Sequence, residues 1–262
     1  MGVRNPFKLD VDPETNSLSW GDYGPDATKA VADSAGRGPM GLVEWNVTSL
    51  DDPHNAGWPY VTGDNFAYND WDFATATPGA FFDPENLVND SRWNTGLTEL
   101  PPAKPATLYY GDSPGDQPWD ELVNFGTGNG QGPMGGPVYH YDPESGDSAW
   151  PEYWDSKAFF GEFSQDYIAA FTVDWDTFEV THIEDVTPNA VIGSEDFPPI
   201  DNPMDIEFGP DGSMYVLDYG DGFFRANPDA GLYRISYAEG NKSPRAEFTA
   251  TPASSSAAPL EV

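Results

Sequence analysis

Proline and glycine dominate what this chain can fold into: 26 and 27 of its 262 residues, about one in five. Each proline removes a backbone donor, and each glycine adds backbone entropy that a helix must freeze out. Long helices do not survive at that density, and the one helix-like window, residues 24–35, has no clear apolar stripe. The structured runs are short and rich in β-branched and aromatic residues, at 7–11, 107–110, 138–141, 158–163, 167–173, 179–183, 214–217 and 232–237. Between them, Asp12-Pro13, Asn16-Ser17, Pro210-Asp211-Gly212 and Gly220-Asp221-Gly222 supply turns. The expected class is all-β, with many short strands.

Charge narrows the function classes. Asp and Glu number 44 against 11 Lys and Arg, a formal net charge of −33. Nucleic-acid binding needs clustered cations on phosphates and is excluded on that ground. Docking on anionic membranes is disfavoured for the same reason, and no apolar run is long enough to insert into a bilayer. Cysteine is absent, which removes disulfides, thiolate metal sites and cysteine nucleophiles together. Aromatics make up 15% of the chain, enough to build cores despite the acidity.

A strand pattern alone leaves sandwich, barrel and propeller open, and an internal echo helps to choose. The run from Leu9 through Pro13 to Asp22-Tyr23-Gly24 reads strand, turn, strand; so does the run from Ile206 through Pro210 to Asp218-Tyr219-Gly220. The copies lie about 196 residues apart, some four propeller blades at roughly 40 to 50 residues each. Three strands joined by tight turns between Ala158 and Ile183 fit a blade better than a Greek key.

Several short motifs then follow one another in order: Gly2-Val3-Arg4-Asn5-Pro6-Phe7, Gly21-Asp22-Tyr23-Gly24-Pro25-Asp26, Glu44-Trp45-Asn46 and Gly57-Trp58-Pro59-Tyr60. Asn94 to Pro101, Met134-Gly135-Gly136-Pro137-Val138-Tyr139 and Phe208-Gly209-Pro210-Asp211-Gly212 continue the series. In this order they resemble the glucose/sorbosone dehydrogenase family, six-bladed β-propellers that use pyrroloquinoline quinone (PQQ). The resemblance covers about residues 1–238 and implies the C-terminal part of such a propeller, about four blades, over residues 1–240. Residues 241–262, with Pro244-Arg245-Ala246-Glu247-Phe248, resemble a linker and the truncated start of a PKD (Ig-like) module. About 20 residues bury no core of their own, so this tail is expected as an extended appendage or a strand lying on the propeller. The layout resembles large secreted bacterial proteins, which implies an extracellular location.

The resemblance also assigns residues. It places Arg4 and Asn5 at the cofactor, where a guanidinium suits a tricarboxylate. It gives Ca²⁺ the backbone carbonyls of Gly24 and Pro25, and a second, structural calcium the carboxylate of Glu44, all hard oxygen donors. The acidic clusters Asp64/Asp70/Asp72 and Asp112/Asp116/Asp120 lack ligand-loop spacing and read as hydrated surface.

Departures accompany the matches. Where the family's glucose-oxidising members carry a Lys and two Arg on the cofactor's carboxylates, this chain aligns Ser164, Asn202 and Met204. The family's catalytic His lies in an earlier blade, and none of His54, His140 or His182 sits in its motif, so no catalytic residue is assigned. His140, between Tyr139 and Tyr141, reads as structural. No helix-like window follows the single Gly-x-Ser-x-Gly match, Gly111-Asp112-Ser113-Pro114-Gly115, as a nucleophile elbow needs; no His-Glu-x-x-His motif is present, and no spacing singles out a glycosidase carboxylate pair. The glycine-rich stretch 126–136 precedes a strand rather than a helix, which argues against a phosphate cradle.

Two functions follow. One is a secreted PQQ- and Ca²⁺-dependent aldose dehydrogenase oxidising the anomeric carbon, with a sugar or oligosaccharide as substrate. The alternative is a non-catalytic carbohydrate-binding or cell-surface propeller that has lost the cofactor site, with Trp58, Tyr60, Trp71, Trp93 and Trp119 as candidate stacking surfaces. A partial propeller presents open blade edges, so self-association or a missing propeller segment is expected to cover them. The acidity points to a high-salt setting, where repulsion is screened.

Overall fold

The computed structural model describes residues 1–27, 38–111, 119, 125–126, 130–186, 200–220, 226–237 and 245–247. The first sheet begins with β1 (Pro6–Asp12), β2 (Ser17–Asp22) and β3 (Val43–Ser49). Two small hairpins follow, β4 (Val61–Thr62) with β5 (Phe66–Ala67), and β6 (Asn69–Asp72) with β7 (Thr77–Phe81), before β8 (Leu108–Tyr110) joins β3. The second sheet is β9 (Pro133–Gly135), β10 (Lys157–Glu162), β11 (Tyr167–Asp174) and β12 (Glu179–Asp185), each antiparallel to the next. The third is β13 (Pro203–Phe208), β14 (Met214–Asp218), β15 (Gly231–Ser236) and β16 (Arg245–Glu247). Strand β16 comes from the C-terminal tail and pairs antiparallel with β15.

These three four-stranded antiparallel sheets pack face to face as part of a β-propeller, and the all-β expectation holds. Strand β9 touches both β1 and β13, so the three first strands converge. Lys8 of β1 bonds Asp205, the Ile206 carbonyl (2.9 Å) and Glu207 (3.0 Å) of β13. The middle sheet shows why its sequence reads as a continuous apolar run. Alternate side chains on a strand point to opposite faces, and both faces of this sheet are covered. Phe160, Tyr167, Ala169 and Phe171 meet Trp45 and Tyr110 of the first sheet. Phe159, Ile168 and Ala170 meet Ile206, Val216 and Ile235 of the third. Every residue of β10 is buried as a result.

Strand β1 inverts the usual alternation. Lys8 and Asp12 bond across to other elements, to β13 and to His140, while Phe7, Leu9 and Val11 stay 56, 55 and 57% exposed. On the third sheet, Leu217 and Leu232 form a second exposed apolar pair.

The expected strand at 138–141 does not form. Gly135 takes a left-handed φ of +68°, and Pro137 has no N–H for a ladder. The chain leaves β9 there and makes a single bridge, Val138 to Ala158, and isolated bonds beside it, including Tyr139 N–H to the Lys157 carbonyl at 3.0 Å. Residues 24–27 of the helix-like window are not helical, and the rest of that window lies outside the described residues. Among the described residues no helix is long and apolar enough to cross a membrane.

Candidate functional site

The end of each sheet's second strand carries a buried acid followed by an aromatic residue. On β2 it is Asp22, whose carboxylate accepts the N–H groups of Arg4 (2.9 Å) and Asn5 (2.6 Å) at the entry to β1. On β14 it is Asp218, which accepts those of Asp201 (2.8 Å), at the entry to β13, and Gly220 (2.6 Å). On β10 it is Glu162, which accepts from Gly132 at the entry to β9 and from Ser164 (2.8 Å) and Gln165 (2.6 Å). Each acid therefore latches the end of a second strand to the chain entering the first. Burial raises all three pKa values, Asp218 to about 6 and Glu162 to about 7, and the N–H bonds offset only part of that rise.

The aromatic residues that follow the latches, Tyr23, Phe163 and Tyr219, line one cleft of about 510 Å³ where the three first strands meet. Asn5, Phe7, Gln131, Pro133, Met134, Ser164 and Met204 complete its wall, with Gly130 and Gly132. No charged side chain lines it among the described residues, in a chain whose net charge is −33.

A crevice of about 10 Å³ sits beside the cleft and shares Tyr23 with it; Arg4, Asp22, Gly24, Pro25, Glu44, Trp58 and Thr62 line it. Asp22 and Glu44 are register partners on β2 and β3. Glu44 is buried and accepts from Thr62 Oγ1 (2.8 Å), Gly63 N–H (2.7 Å) and Asn46 Nδ2 (3.2 Å). Burial pushes its pKa up despite these bonds, and the charge of Asp22 adds to the rise. Asn46 Oδ1 is covered and lacks a hydrogen-bond partner. Burial first, and then the Glu44 charge, push the Tyr68 phenol up to about 12. The Arg4 guanidinium donates to the Tyr23 carbonyl (2.9 Å) and lies 5.4 Å from the Tyr23 ring and 5.7 Å from the Trp58 ring.

The structure thus gathers Arg4, Gly24, Pro25 and Glu44 in the crevice, and Asn5, Ser164 and Met204 in the cleft. Asn202 does neither: at φ +92° its Nδ2 ties the third sheet to the Phe163 carbonyl and to Asp166 of the second. The three histidines stay outside both spaces. His140 Nε2 pairs with Asp12 at 2.9 Å, a structural role. His182 is exposed on β12. His54 lines a separate groove of about 620 Å³ with Lys104 and Trp119; burial, then Lys104, lower its pKa.

The Trp candidates do not build the cleft. Trp58 stacks against Tyr68, Tyr60 against Phe82, and Trp93 stands 78% exposed under Arg92. Asp72 caps its own turn through Thr75 (2.7 Å), and Asp112, Asp116 and Asp120 lie outside the described residues. The sequence reading missed the cleft rings and the Gly130–Gly132 wall. The signal for them was a third copy of the acid–aromatic pair, written Glu162-Phe163 instead of Asp-Tyr.

No protein-family model matches the chain, and no curated protein matches it. Among solved structures it is similar to a Thermus thermophilus protein to which an oxidoreductase (glucose dehydrogenase) activity is provisionally ascribed. The identity is 15% and the TM-score 0.45, over 89% of this chain and 46% of the other. The chain therefore spans under half of that protein's length.

The chemistry of the two spaces decides which groups they suit. The crevice offers the carboxylates of Asp22 and Glu44, hard donors, in room for one water-sized particle. That suits a calcium ion in charge and donor type, with Gly24 and Pro25 on the same lining, although the Pro25 carbonyl also accepts the Ala27 N–H at 2.7 Å. No group of three acidic or histidine side chains converges among the described residues, so backbone oxygen is required there. A tricarboxylate quinone does not fit the crevice, which is too small, and among the described residues the cleft offers it no cation.

Proposed function

We propose that this chain recognises a neutral sugar in the cleft and holds Ca²⁺ in the crevice, as a carbohydrate-binding propeller of the sugar-dehydrogenase type. The observation that carries this reading is the cleft ringed by Tyr23, Phe163 and Tyr219, which no charged side chain lines among the described residues. Aromatic faces stack on the C–H faces of a pyranose, while the amides of Asn5 and Gln131 and the Ser164 hydroxyl pair with sugar hydroxyls. An apolar pocket with a few oriented polar groups is the general form of a small-molecule site. Calcium would be held by Glu44, Asp22 and the carbonyls of Gly24 and Pro25. There it would neutralise two facing carboxylates and fix the loop that carries Tyr23.

One observation favours a second, oxidative reading, a PQQ- and Ca²⁺-dependent aldose dehydrogenase. Arg4 and the calcium donors line one crevice next to the cleft. That reading needs cations for the quinone's carboxylates, and none of the described lining residues of the cleft is one.

The test is a thermal-shift titration with neutral oligosaccharides, with Ca²⁺, and with Ca²⁺ plus PQQ. Neutral sugars should raise the Tm, and Tyr219→Ala should abolish that response without lowering the Ca²⁺ response. A shift that needs PQQ and Ca²⁺ together would replace this reading with the oxidative one. No response to any sugar would overturn it.

A further inference from the structure

We propose that Glu162 is the positioning residue of the cleft: its carboxylate holds the 130–132 wall in place, and proton uptake there releases that wall. This rests on the sugar-binding reading for its consequence but not for its geometry. Of the three latches, Glu162 alone accepts three backbone N–H groups: Gly132, Ser164 and Gln165. Gly132 and Ser164 both line the cleft, and Phe163, a third lining residue, lies in the chain between Glu162 and Ser164. Gln165 strengthens the same clasp, donating through Nε2 to the Gly130 carbonyl at 2.7 Å. The clasp is tight: a Cβ on Gly132 would lie 2.8 Å from Ser164 Oγ and 2.9 Å from Ser164 N. The longer Glu side chain, where the other latches use Asp, spans from the end of β10 to both strands of the clasp.

The surroundings make this latch the proton-sensitive one. Glu162 is fully buried, and the groups facing it are neutral: Tyr110 of β8 and Tyr167 of β11. Asp185 of β12 acts on Tyr167 in turn, and Tyr23 of the first sheet feels the Glu162 charge from the cleft side. The Tyr110 hydroxyl favours the ionised carboxylate as the three N–H groups do, and the Gln165 Oε1 beside them is covered and unpartnered. Burial sets its pKa at about 7. The N–H bonds lower the carboxyl's pKa against that burial, so a released wall that leaves Glu162 covered by Tyr110 and Tyr167 binds the proton more tightly than the clasped one, even though protonation stabilises the fold as a whole.

The experiment measures amide hydrogen exchange at Gly132, Ser164 and Gln165 between pH 8 and pH 6, corrected for intrinsic rates, in the wild type and in Glu162→Gln. Wild-type protection should fall roughly tenfold as the ionised fraction drops, and the variant should be poorly protected at both pH values. Neutral-sugar affinity should fall in parallel in the wild type and stay flat in the variant. Protection that does not change with pH in the wild type overturns the proposal, as does a variant that keeps the wild-type profile. If Glu162→Gln does not fold, the wild-type profile alone decides. pH-responsive protection without sugar binding would support the latch and sink the sugar reading; flat protection with sugar binding would do the reverse.

Discussion

Asp22 and Glu44 stand directly opposite each other on β2 and β3, two buried carboxylates on adjacent strands of one sheet. Like charges in facing positions destabilise a sheet, and burial raises both pKa values. A divalent cation reverses that penalty. Calcium at about 100 times its Kd should add roughly 2.7 kcal/mol of stability. Glu44→Gln should lose most of this response while raising the Tm of the calcium-free protein. Differential scanning calorimetry with Ca²⁺ and with chelator checks both; equal calcium responses in wild type and variant would remove Glu44 from the site.

Gly24 follows the first latch at the point where the chain runs against β3's approach. A Cβ there would lie 2.1 Å from the Leu42 carbonyl oxygen and 2.7 Å from its carbon, which are backbone atoms that cannot swing away. Gly24→Ala should therefore destabilise the fold by about 1–3 kcal/mol, as overpacking does, and weaken calcium binding because the Gly24 and Pro25 carbonyls move. Urea unfolding with and without Ca²⁺ measures both effects.

The fold was legible in the sequence where local rules act alone. Proline and glycine density ruled out helices, and the Asp22-Tyr23 and Asp218-Tyr219 echo marked equivalent strand ends in the first and third sheets. The middle copy hid behind a conservative change, Glu162-Phe163, and the cleft hid with it, because its three rings come together only when the sheets stack. The strand expected at 138–141 failed for a local reason, the left-handed Gly135 ahead of Pro137. Strand β3, rich in buried Val and Trp, does not read as a strand because Glu44 and Asn46 interrupt its run; Glu44 is satisfied by Thr62 and Gly63, 18 and 19 residues away, and Asn46 bonds Glu44 in turn. Of the aromatic residues read as sugar platforms, Trp58 and Tyr60 meet Tyr68 and Phe82 edge to face and Trp119 packs against a core, because large rings gain more from burial than from a surface role.

The net charge of −33 gives a salt prediction. Self-repulsion at low ionic strength works against the compact state, and about 1 M salt cuts the screening length to roughly 3 Å. The Tm should rise from low to molar NaCl. A flat Tm across that range would show that the surface charges are too dispersed to matter.

Stability should also depend on pH in an unusual direction. Asp10, Asp218 and Glu162 carry folded pKa values of about 6, 6 and 7, raised by burial, above their ordinary carboxylate values. The folded state then binds more protons than the unfolded chain between about pH 4 and 7, and stability falls as pH rises through that window. Asp12, Glu184 and Asp211 have lowered pKa values: burial opposes the shift, and their bonds to Thr15, to Lys157 and to Ser213 and Arg234 outweigh it. Their contribution is present at neutral pH and is lost only in stronger acid. The calcium-free protein should therefore be more stable at pH 5 than at pH 8, and lose stability again below about pH 4. Glu162→Gln, relieved of its buried charge, should flatten the upper limb by a difference on the order of 2–4 kcal/mol at pH 8. Chemical denaturation from pH 3 to 8.5 measures the whole curve; a monotonic rise from pH 5 to pH 8 would show that the three buried acids ionise with ordinary pKa values.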